Sequence, residues 1–395
     1  MLLHNYYGSG APSGENKVFE AEKALLEQNG HDVAIFTRHS DGVLEQGLRG
    51  ALSAAAVVPW NPFSARAVAQ AVAYFKPDVV HAHNTFPLIS PSIFHAVGSS
   101  AARVLTLHNY RLLCPAAIPM RNGKVCTECI DGRTVRPAIK YGCYRGSRLP
   151  TLPVAANVAL HRALGTWQQQ VDAFIALSGF QKQLMAEGGL PDTLIHVKPN
   201  FYAGNPSVVP FADRPNHVVF VGRLGEEKGV RTLVKAWRQW GQGAPLLRIV
   251  GDGPLRAELQ QEADGLQVEF LGQLSAKAAE EQISTARLLV LPSEWFEGFP
   301  MVLREAFAFG TPVAVSDLGP LPSIVTDSVN GVVFAPGNAH SLMTTVANAW
   351  NTPDMLAVMG RSARAEFLSK YTSAINHDIL LGIYEKAIAM SRQRQ

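Results

Sequence analysis

The strongest constraint on this chain is a repeated alternation. Short β-branched or apolar runs are separated by longer stretches of helical period, in two series that meet at a proline-rich joint. Such alternation specifies parallel sheets covered by helices, because parallel strands need long crossovers and the crossovers must hide both faces of the sheet. In the first series the predicted strands are Met1 to Tyr6, Asp32 to Thr37, Asp78 to His81, Arg103 to Leu107, Ala173 to Leu177 and Ile195 to Lys198. In the second they are His217 to Val221, Leu247 to Val250, Val268 to Leu271, Leu288 to Leu291, Pro312 to Val315 and Gly331 to Phe334. Between the first two strands Val18, Ala21, Glu22, Leu25 and Leu26 recur at helical spacing, and Gly30 is suited to stop that helix. The joint, NFYAGNPSVVPFADRP, has the proline and polar content of a linker. The expected fold class is α/β: two doubly wound, Rossmann-like domains over residues 1–200 and 201–375, facing an interdomain cleft, with a helix over 376–395. Ligands of open α/β sheets bind beyond the carboxyl ends of strands, so the residues of interest should lie just after the predicted strands.

A length of 395 residues allows two or three domains and a full core for each. With 47% hydrophobic and 17% charged residues the chain is neither disordered nor collagen-like, and no short-period repeat suggests a solenoid or propeller. A formal charge of +3 is too near balance for a general nucleic-acid binder. That average conceals a basic segment: Arg103 to Arg148 alone carries +7, leaving −4 for the rest. No charge-free apolar run reaches the roughly 18 residues of a membrane span, and Met1 leads into His4 and Asn5 rather than a signal-peptide core. A cytoplasmic location is the expectation.

In the second series, the strand ending at Val221 runs into Gly222-Arg223-Leu224-Gly225-Glu226-Glu227-Lys228-Gly229. Glycines permit close backbone approach, Arg223 offers a planar fork of donors and Lys228 a point charge, a combination that holds a diphosphate; a Gly-rich turn with solvated charges is the plainer alternative. The next strand ends in Val250-Gly251-Asp252-Gly253-Pro254, a further turn suited to close approach. After Pro292 comes Ser293-Glu294-Trp295-Phe296-Glu297-Gly298-Phe299-Pro300-Met301-Val302-Leu303-Arg304-Glu305. Pro300 stands where a first helical residue would, leaving N–H groups around Met301 to Leu303 for an anion, with the helix running to Gly310. Glu297 would lie on the loop and Glu305 in the second turn, either facing one site at two depths or simply exposed at the surface.

Together VGRLGEEKG, VGDGP, the Glu297 and Glu305 pair and GTPVAVSDLGPLPSIVTDSVNGVVFAPGN are similar to the motifs of the retaining GT-B glycosyltransferases of glycosyltransferase family 4, in that family's order. The resemblance implies a GT-B architecture and a nucleoside diphosphate sugar as donor, with Arg223 and Lys228 on its diphosphate, Glu305 on ribose hydroxyls and Glu297 on the transferred sugar. It places Gly298, Phe299, Pro300, Met301 and Val302 around the donor, and it implies retention of anomeric configuration without a catalytic metal. It also implies a terminal helix that crosses back to the first domain. One departure is the stretch Leu318-Gly319-Pro320-Leu321-Pro322-Ser323, where many relatives carry a Gly-Gly pair and a glutamate, so Ser323 receives no role.

In the first series the opening strand leads into Gly8-Ser9-Gly10-Ala11-Pro12-Ser13-Gly14-Glu15-Asn16. Its glycines are one residue off the dinucleotide spacing and no ribose-binding acid follows in clear context, which disfavours hydride transfer. By resemblance this is the Gly-rich loop facing diphosphate and acceptor, with Gly14 the residue assigned to the donor. Strand ends also carry His81-Ala82-His83-Asn84 and His108-Asn109-Tyr110. Such histidines can bond a sugar hydroxyl or move a proton, though many are only structural. By resemblance His108 is the functional one, near the donor sugar.

Cys114, Cys126, Cys129 and Cys143 are the only cysteines, all within a basic insert at about 108–150. In a reducing compartment this spacing suggests a structural zinc site; unbound reduced thiols, disulfides and an iron–sulfur site are the alternatives. The surrounding charge suits an anionic acceptor such as a lipid-linked pyrophosphate sugar, or the inner face of an acidic membrane, while a solvated basic face is the plainer reading. The helical stretch Ala155 to Trp167 reads as a buried domain helix.

The functional expectation is a sugar transfer from a nucleoside diphosphate sugar to a glycan hydroxyl, the acceptor lipid-linked, in cell-surface or exopolysaccharide assembly, with no nucleic-acid partner. Two rivals remain: a nucleotide-sugar epimerase or hydrolase of the same fold, and a non-enzymatic sugar-nucleotide sensor or scaffold.

Overall fold

A computed structural model describes residues 1–7, 14–41 and 47–394. Residues Gly8 to Ser13 of the Gly-rich loop lie outside the described residues. The chain divides into two compact units, one of Met1–Pro119, Cys126–Pro199 and Asn376–Gln395, the other of Met120–Val125 and Asn200–Ile375. In chain order the strands are β1 (Leu2–Tyr6), β2 (Ile35–His39), β3 (Val79–Asn84), β4 (Ala102–Leu107), β5 (Met120–Arg121), β6 (Lys124–Val125), β7 (Ala173–Ala176) and β8 (Ile195–Val197). They continue as β9 (His217–Val221), β10 (Leu246–Val250), β11 (Val268–Gly272), β12 (Leu288–Leu291), β13 (Val313–Ser316) and β14 (Gly331–Phe334).

The first unit holds a parallel sheet in the order β2-β1-β3-β4-β7-β8. The second holds another in the order β11-β10-β9-β12-β13-β14. These are the two common doubly wound orders. Each reverses direction once, between β1 and β3 in the first and between β9 and β12 in the second, and such a reversal opens a crevice beyond the carboxyl ends of the two strands.

The sequences of the central strands explain their place. Val218, Val219 and Phe220 of β9, all of β12 and Val313 to Val315 are buried on both faces, as covered parallel strands require. In the second unit Trp237 anchors the core among Phe220, Leu233, Leu288, Leu342 and Met359. Its helix Val230–Trp240 buries Val230, Leu233, Val234 and Trp237, and the indole N–H donates to the Pro245 carbonyl at 2.8 Å. In the first unit Leu2, Phe19, Val104 and Ile175 pack with Leu380, Ile383 and Ala387 from helix Ser373–Gln393.

Several boundaries differ from expectation. β3 runs on to Asn84, so His83 is a strand residue on the same face as His81 rather than a loop residue. β2 is displaced to Ile35–His39 because Leu2 pairs with Ile35. The β5–β6 hairpin is an addition, closed by Asn122-Gly123 with both residues at positive φ, the signature of a two-residue hairpin loop.

Candidate functional site

At the reversal of the second sheet the loops after β9 and β12 meet. Glu294 donates its backbone N–H to the Glu227 carbonyl at 2.9 Å. Gly229 takes φ +66°, and a Cβ there would fall on the Pro292 carbonyl oxygen. Gly251, at φ +132°, stands equally close to the Gly222 carbonyl, and Gly253 to the Leu224 carbonyl. The glycines read from sequence as admitting a ligand therefore admit neighbouring backbone, and they lock three loops into one platform.

On that platform the Lys228 ammonium donates to Glu297 Oε1 at 2.7 Å and the Ser293 hydroxyl donates to the same oxygen at 2.6 Å. Glu297 is only 4% exposed, and Lys228 also stands 5.2 Å from the centre of the Trp295 ring. Sequence reasoning gave these two residues separate ligands; the fold makes them a short, charge-assisted pair. Arg223 lies at the rim with its side chain 66% exposed, 3.9 Å from Glu227, so its planar fork faces solvent.

Helix Met301–Ala308 begins one residue later than expected. Pro300 is its extended N-cap rather than its first residue, and Leu303 gives its N–H to the Pro300 carbonyl at 3.1 Å, which removes it from the amides expected to face an anion. Gly298, Phe299, Pro300 and Val302 are buried, with Phe299 packed on the Tyr371 ring at 5.3 Å, and Met301 is half-buried. Glu305 sits in the second turn, 3.9 Å from the Arg304 guanidinium. Ser323 spends its hydroxyl on the Pro320 carbonyl at 2.6 Å.

In the first unit Gly14 opens helix Gly14–Gln28, and Glu15 beside it accepts from the Asn109 side chain at 2.7 Å. Burial pushes the Glu15 carboxyl up. A cavity of about 50 Å³ beyond β3 and β4 is lined by His83, Asn84, Phe86, His108, Asn109 and Arg111. Behind it lies a buried cluster. Glu22 Oε1 is 3.1 Å from both His81 Nδ1 and His83 Nε2, while Oε2 is 2.7 Å from the Lys198 ammonium. His83 Nδ1 is 3.1 Å from His108 Nε2. Burial opposes the charge of Glu22, yet Lys198, His83 and His81 together hold its carboxyl well below the usual range. Burial lowers His83 to about 4. His108 is held well below its usual range by burial and then by repulsion from His83 and His4.

Sequence reasoning placed Glu22 on the inner face of its helix and Lys198 at a strand end, and saw no chemistry in either. The signal was an acid at a core position, but its partner stands 176 residues away.

The insert is more local. Cys114 and Cys129 are buried, Cys126 and Cys143 half-buried, and none of the four is in a disulfide. Burial pushes the Cys114 thiol up to about 12 and raises that of Cys129, while the amides of Ala116 and Ala138 pull the other way by bonding to these sulfurs. Among the described residues, the group of three metal-ligating side chains with all ligand atoms within 4.8 Å is Glu22, His81 and His83. At the start of the basic segment Arg103 to Arg148, Arg103 is no surface charge, since it is buried in a bidentate pair with Asp172. Arg111 lies over the Phe86 ring at 4.0 Å. Among the described residues no helix is long and apolar enough to cross a membrane.

The family model for glycosyltransferase family 4 matches residues 16–202, and that for glycosyl transferases group 1 matches residues 205–366. The sulfoquinovosyl transferase SQD2 of Arabidopsis thaliana is 24% identical over 376 residues, covering 90% of this chain and 67% of that protein. The 2-deoxystreptamine N-acetyl-D-glucosaminyltransferase of Streptomyces fradiae is 28% identical over 332 residues, covering 76% of this chain and 72% of its own length. Several further relatives are matched over less than half of their own length. Among solved structures, HepE of Anabaena in complex with UDP has the same fold, with a TM-score of 0.67 and 20% identity over 97% of this chain and 99% of that one.

Proposed function

Because the chain belongs to the nucleotide-sugar-dependent GT-B glycosyltransferases, we propose that it transfers one sugar, with retention of configuration, from a nucleoside diphosphate sugar to a hydroxyl of a lipid-linked glycan. The observation that carries this reading is the Lys228–Glu297–Ser293 cluster at the reversal of the second sheet, with the Arg223 guanidinium exposed beside it. Arg223 and Lys228 take the diphosphate, Glu305 the ribose hydroxyls and Glu297 the hydroxyls of the transferred sugar. In the reaction the bond between the anomeric carbon and the diphosphate oxygen breaks, its electron pair staying with the diphosphate. The acceptor oxygen bonds to that carbon on the same face, and its proton passes to the leaving phosphate oxygen. Arg223 and Lys228 stabilise the developing charge, a task that preorganised cations perform without a catalytic metal in the proposal. Lys228 carries three N–H donors, so it can meet a phosphate while keeping Glu297.

The acceptor side of the reading rests on one surface of the first unit, which the basic insert helps to form. Tyr141, Leu149 and Leu152 are exposed, Leu149 by 78%, beside exposed Arg136, Lys140, Arg145 and Arg148. Apolar side chains ringed by cations suit the inner face of an anionic bilayer, where a lipid-linked acceptor is presented. Co-sedimentation with anionic vesicles that falls with added salt is the expected outcome; salt-insensitive association, or none, removes the membrane part of the proposal.

The four cysteines are proposed as a structural zinc site. Supporting this, none of them is in a disulfide, they share one short insert, and two sulfurs already accept backbone amides. Bound zinc would draw the sulfurs together as thiolates and hold the insert. Metal analysis of the purified protein should find about one zinc ion per chain, with thermal stability falling on strong chelation.

The donor is tested by thermal shift against UDP-, GDP-, ADP- and CDP-sugars. Binding to the folded state alone raises stability, so one nucleotide class should shift the transition, UDP being the first to try since a structural relative holds it. The shift should vanish in Arg223→Ala. No shift with any member would favour a sensor or scaffold, and turnover of the donor without acceptor would favour an epimerase or hydrolase.

A further inference from the structure

His108 does not stand alone in the first unit; a chain of buried groups determines which of its two nitrogens carries the proton. A carboxylate only accepts hydrogen bonds, and Glu22 is kept ionised by the Lys198 ammonium at 2.7 Å, which is itself held by Asn376 Oδ1 at 3.0 Å. His83 Nε2, 3.1 Å from Glu22 Oε1, must then donate. Burial keeps His83 neutral, and a neutral imidazole donating from Nε2 accepts at Nδ1. The group facing that Nδ1, at 3.1 Å, is His108 Nε2, which therefore carries the proton. A neutral His108 is left with a lone pair on Nδ1.

A metal held by Glu22, His81 and His83 is the competing use of these side chains. It conflicts with their partners. The Lys198 cation already occupies one carboxylate oxygen, and His81 is engaged by Thr106 Oγ1 at 2.7 Å and the Tyr384 hydroxyl at 2.8 Å. A divalent ion would have to share a single carboxylate with an ammonium inside a closed site, a placement that like-charge repulsion opposes.

We propose that Glu22 and His83 are positioning residues that fix His108 as its Nε2–H tautomer, so that His108 meets the donor through an unprotonated Nδ1 and takes groups that donate a hydrogen, a sugar hydroxyl rather than a phosphate oxygen. The hydroxyl assignment rests on the reading of His108 as the residue near the transferred sugar. The relay does not, because it is a property of the protein without ligand.

The two are separated by experiment. In the full chain labelled with ¹⁵N-histidine, long-range proton–nitrogen correlation should show His83 and His108 neutral and protonated on Nε2, with the His108 signals assigned by their loss in His108→Gln. His83→Phe should leave His108 a mixture of tautomers, whereas His83→Gln, whose side-chain oxygen can still accept from His108, should keep the Nε2–H form. In the same variants UDP, which has no transferred sugar, should bind unchanged, while the affinity for UDP-glucose should fall about tenfold in His83→Phe and recover in His83→Gln. A proton on Nδ1 of His108 in the wild type, which needs no variant to fold, overturns the relay. An unchanged tautomer in His83→Phe does the same. The expected tautomer with unchanged UDP-glucose affinity in His83→Phe overturns the hydroxyl assignment. If UDP does not bind, the same comparison is made with the nucleotide and nucleotide sugar that shift the wild type, and if none of the panel binds while the tautomer is as stated, the donor reading has failed and the relay stands.

Discussion

At the scale of single residues, Lys228 and Glu297 are the pair on which the proposed donor site turns. Removing one member of a buried ion pair leaves a charge without compensation, at a cost of about 3–5 kcal/mol, while removing both can be nearly neutral. Lys228→Met should therefore destabilise the second unit by about that amount, and Lys228→Met with Glu297→Gln should restore most of it without restoring transfer. Glu297→Gln alone keeps the size of the side chain and an oxygen for Ser293, and the ammonium it leaves on Lys228 is 20% exposed and can be met by water, so the fold should hold while kcat falls by about 100-fold or more. Melting temperatures and steady-state kinetics of the three variants test this. Arg223, Lys228, Glu297 and Glu305 could be picked out of the sequence as candidates because each falls within a short motif beside a strand end. The pairing of Lys228 with Glu297 was not, since 69 residues separate them and only the adjacency of β9 and β12 brings them together. Glu22 and Lys198 were hidden for the same reason, their contact being decided by the fold of the whole unit.

At the scale of elements, the strands were legible because covered parallel strands must be apolar on both faces and so announce themselves as short continuous runs. What strand runs do not reveal is how the loops between them pack, and there a glycine can mean either ligand or backbone. Gly229 shows the difference. Its left-handed backbone and its approach to the Pro292 carbonyl leave no room for a methyl group, so Gly229→Ala should cost about 3 kcal/mol or more and lower donor affinity by parting the two loops. Gly30 also has positive φ, +81°, but nothing lies near its missing Cβ, so Gly30→Ala should cost only about 1 kcal/mol. Denaturant titration of the two variants side by side separates conformational strain from collision. The β5–β6 hairpin went unread although Asn122-Gly123 is a hairpin signal, because strands of two residues carry no periodicity.

At the scale of the whole molecule, the titrating groups are unevenly shared. His4, His83 and His161, all in the first unit, are buried, and burial lowers each from an ordinary 6.5 to about 4. Between these values the unfolded chain binds protons that the native state refuses, so stability rises with pH and is lost as pH falls from 6.5 towards 4. Each such histidine contributes a slope of up to about 1.4 kcal/mol per pH unit in that window. Calorimetry should show the first unit's transition moving down on acidification from pH 7 to 5, and His161→Asn should make the dependence shallower. The division into units has a further consequence, for the order of synthesis. The first unit's core is incomplete without Leu380, Ile383 and Ala387, and the Lys198 ammonium, paired with Glu22, lacks its second partner until Asn376 arrives. On the ribosome the second unit, Asn200–Ile375, has emerged by the time those residues appear. The unit whose translation begins first is thus the one that must wait, its sheet and charged interior held open while its successor folds ahead of it.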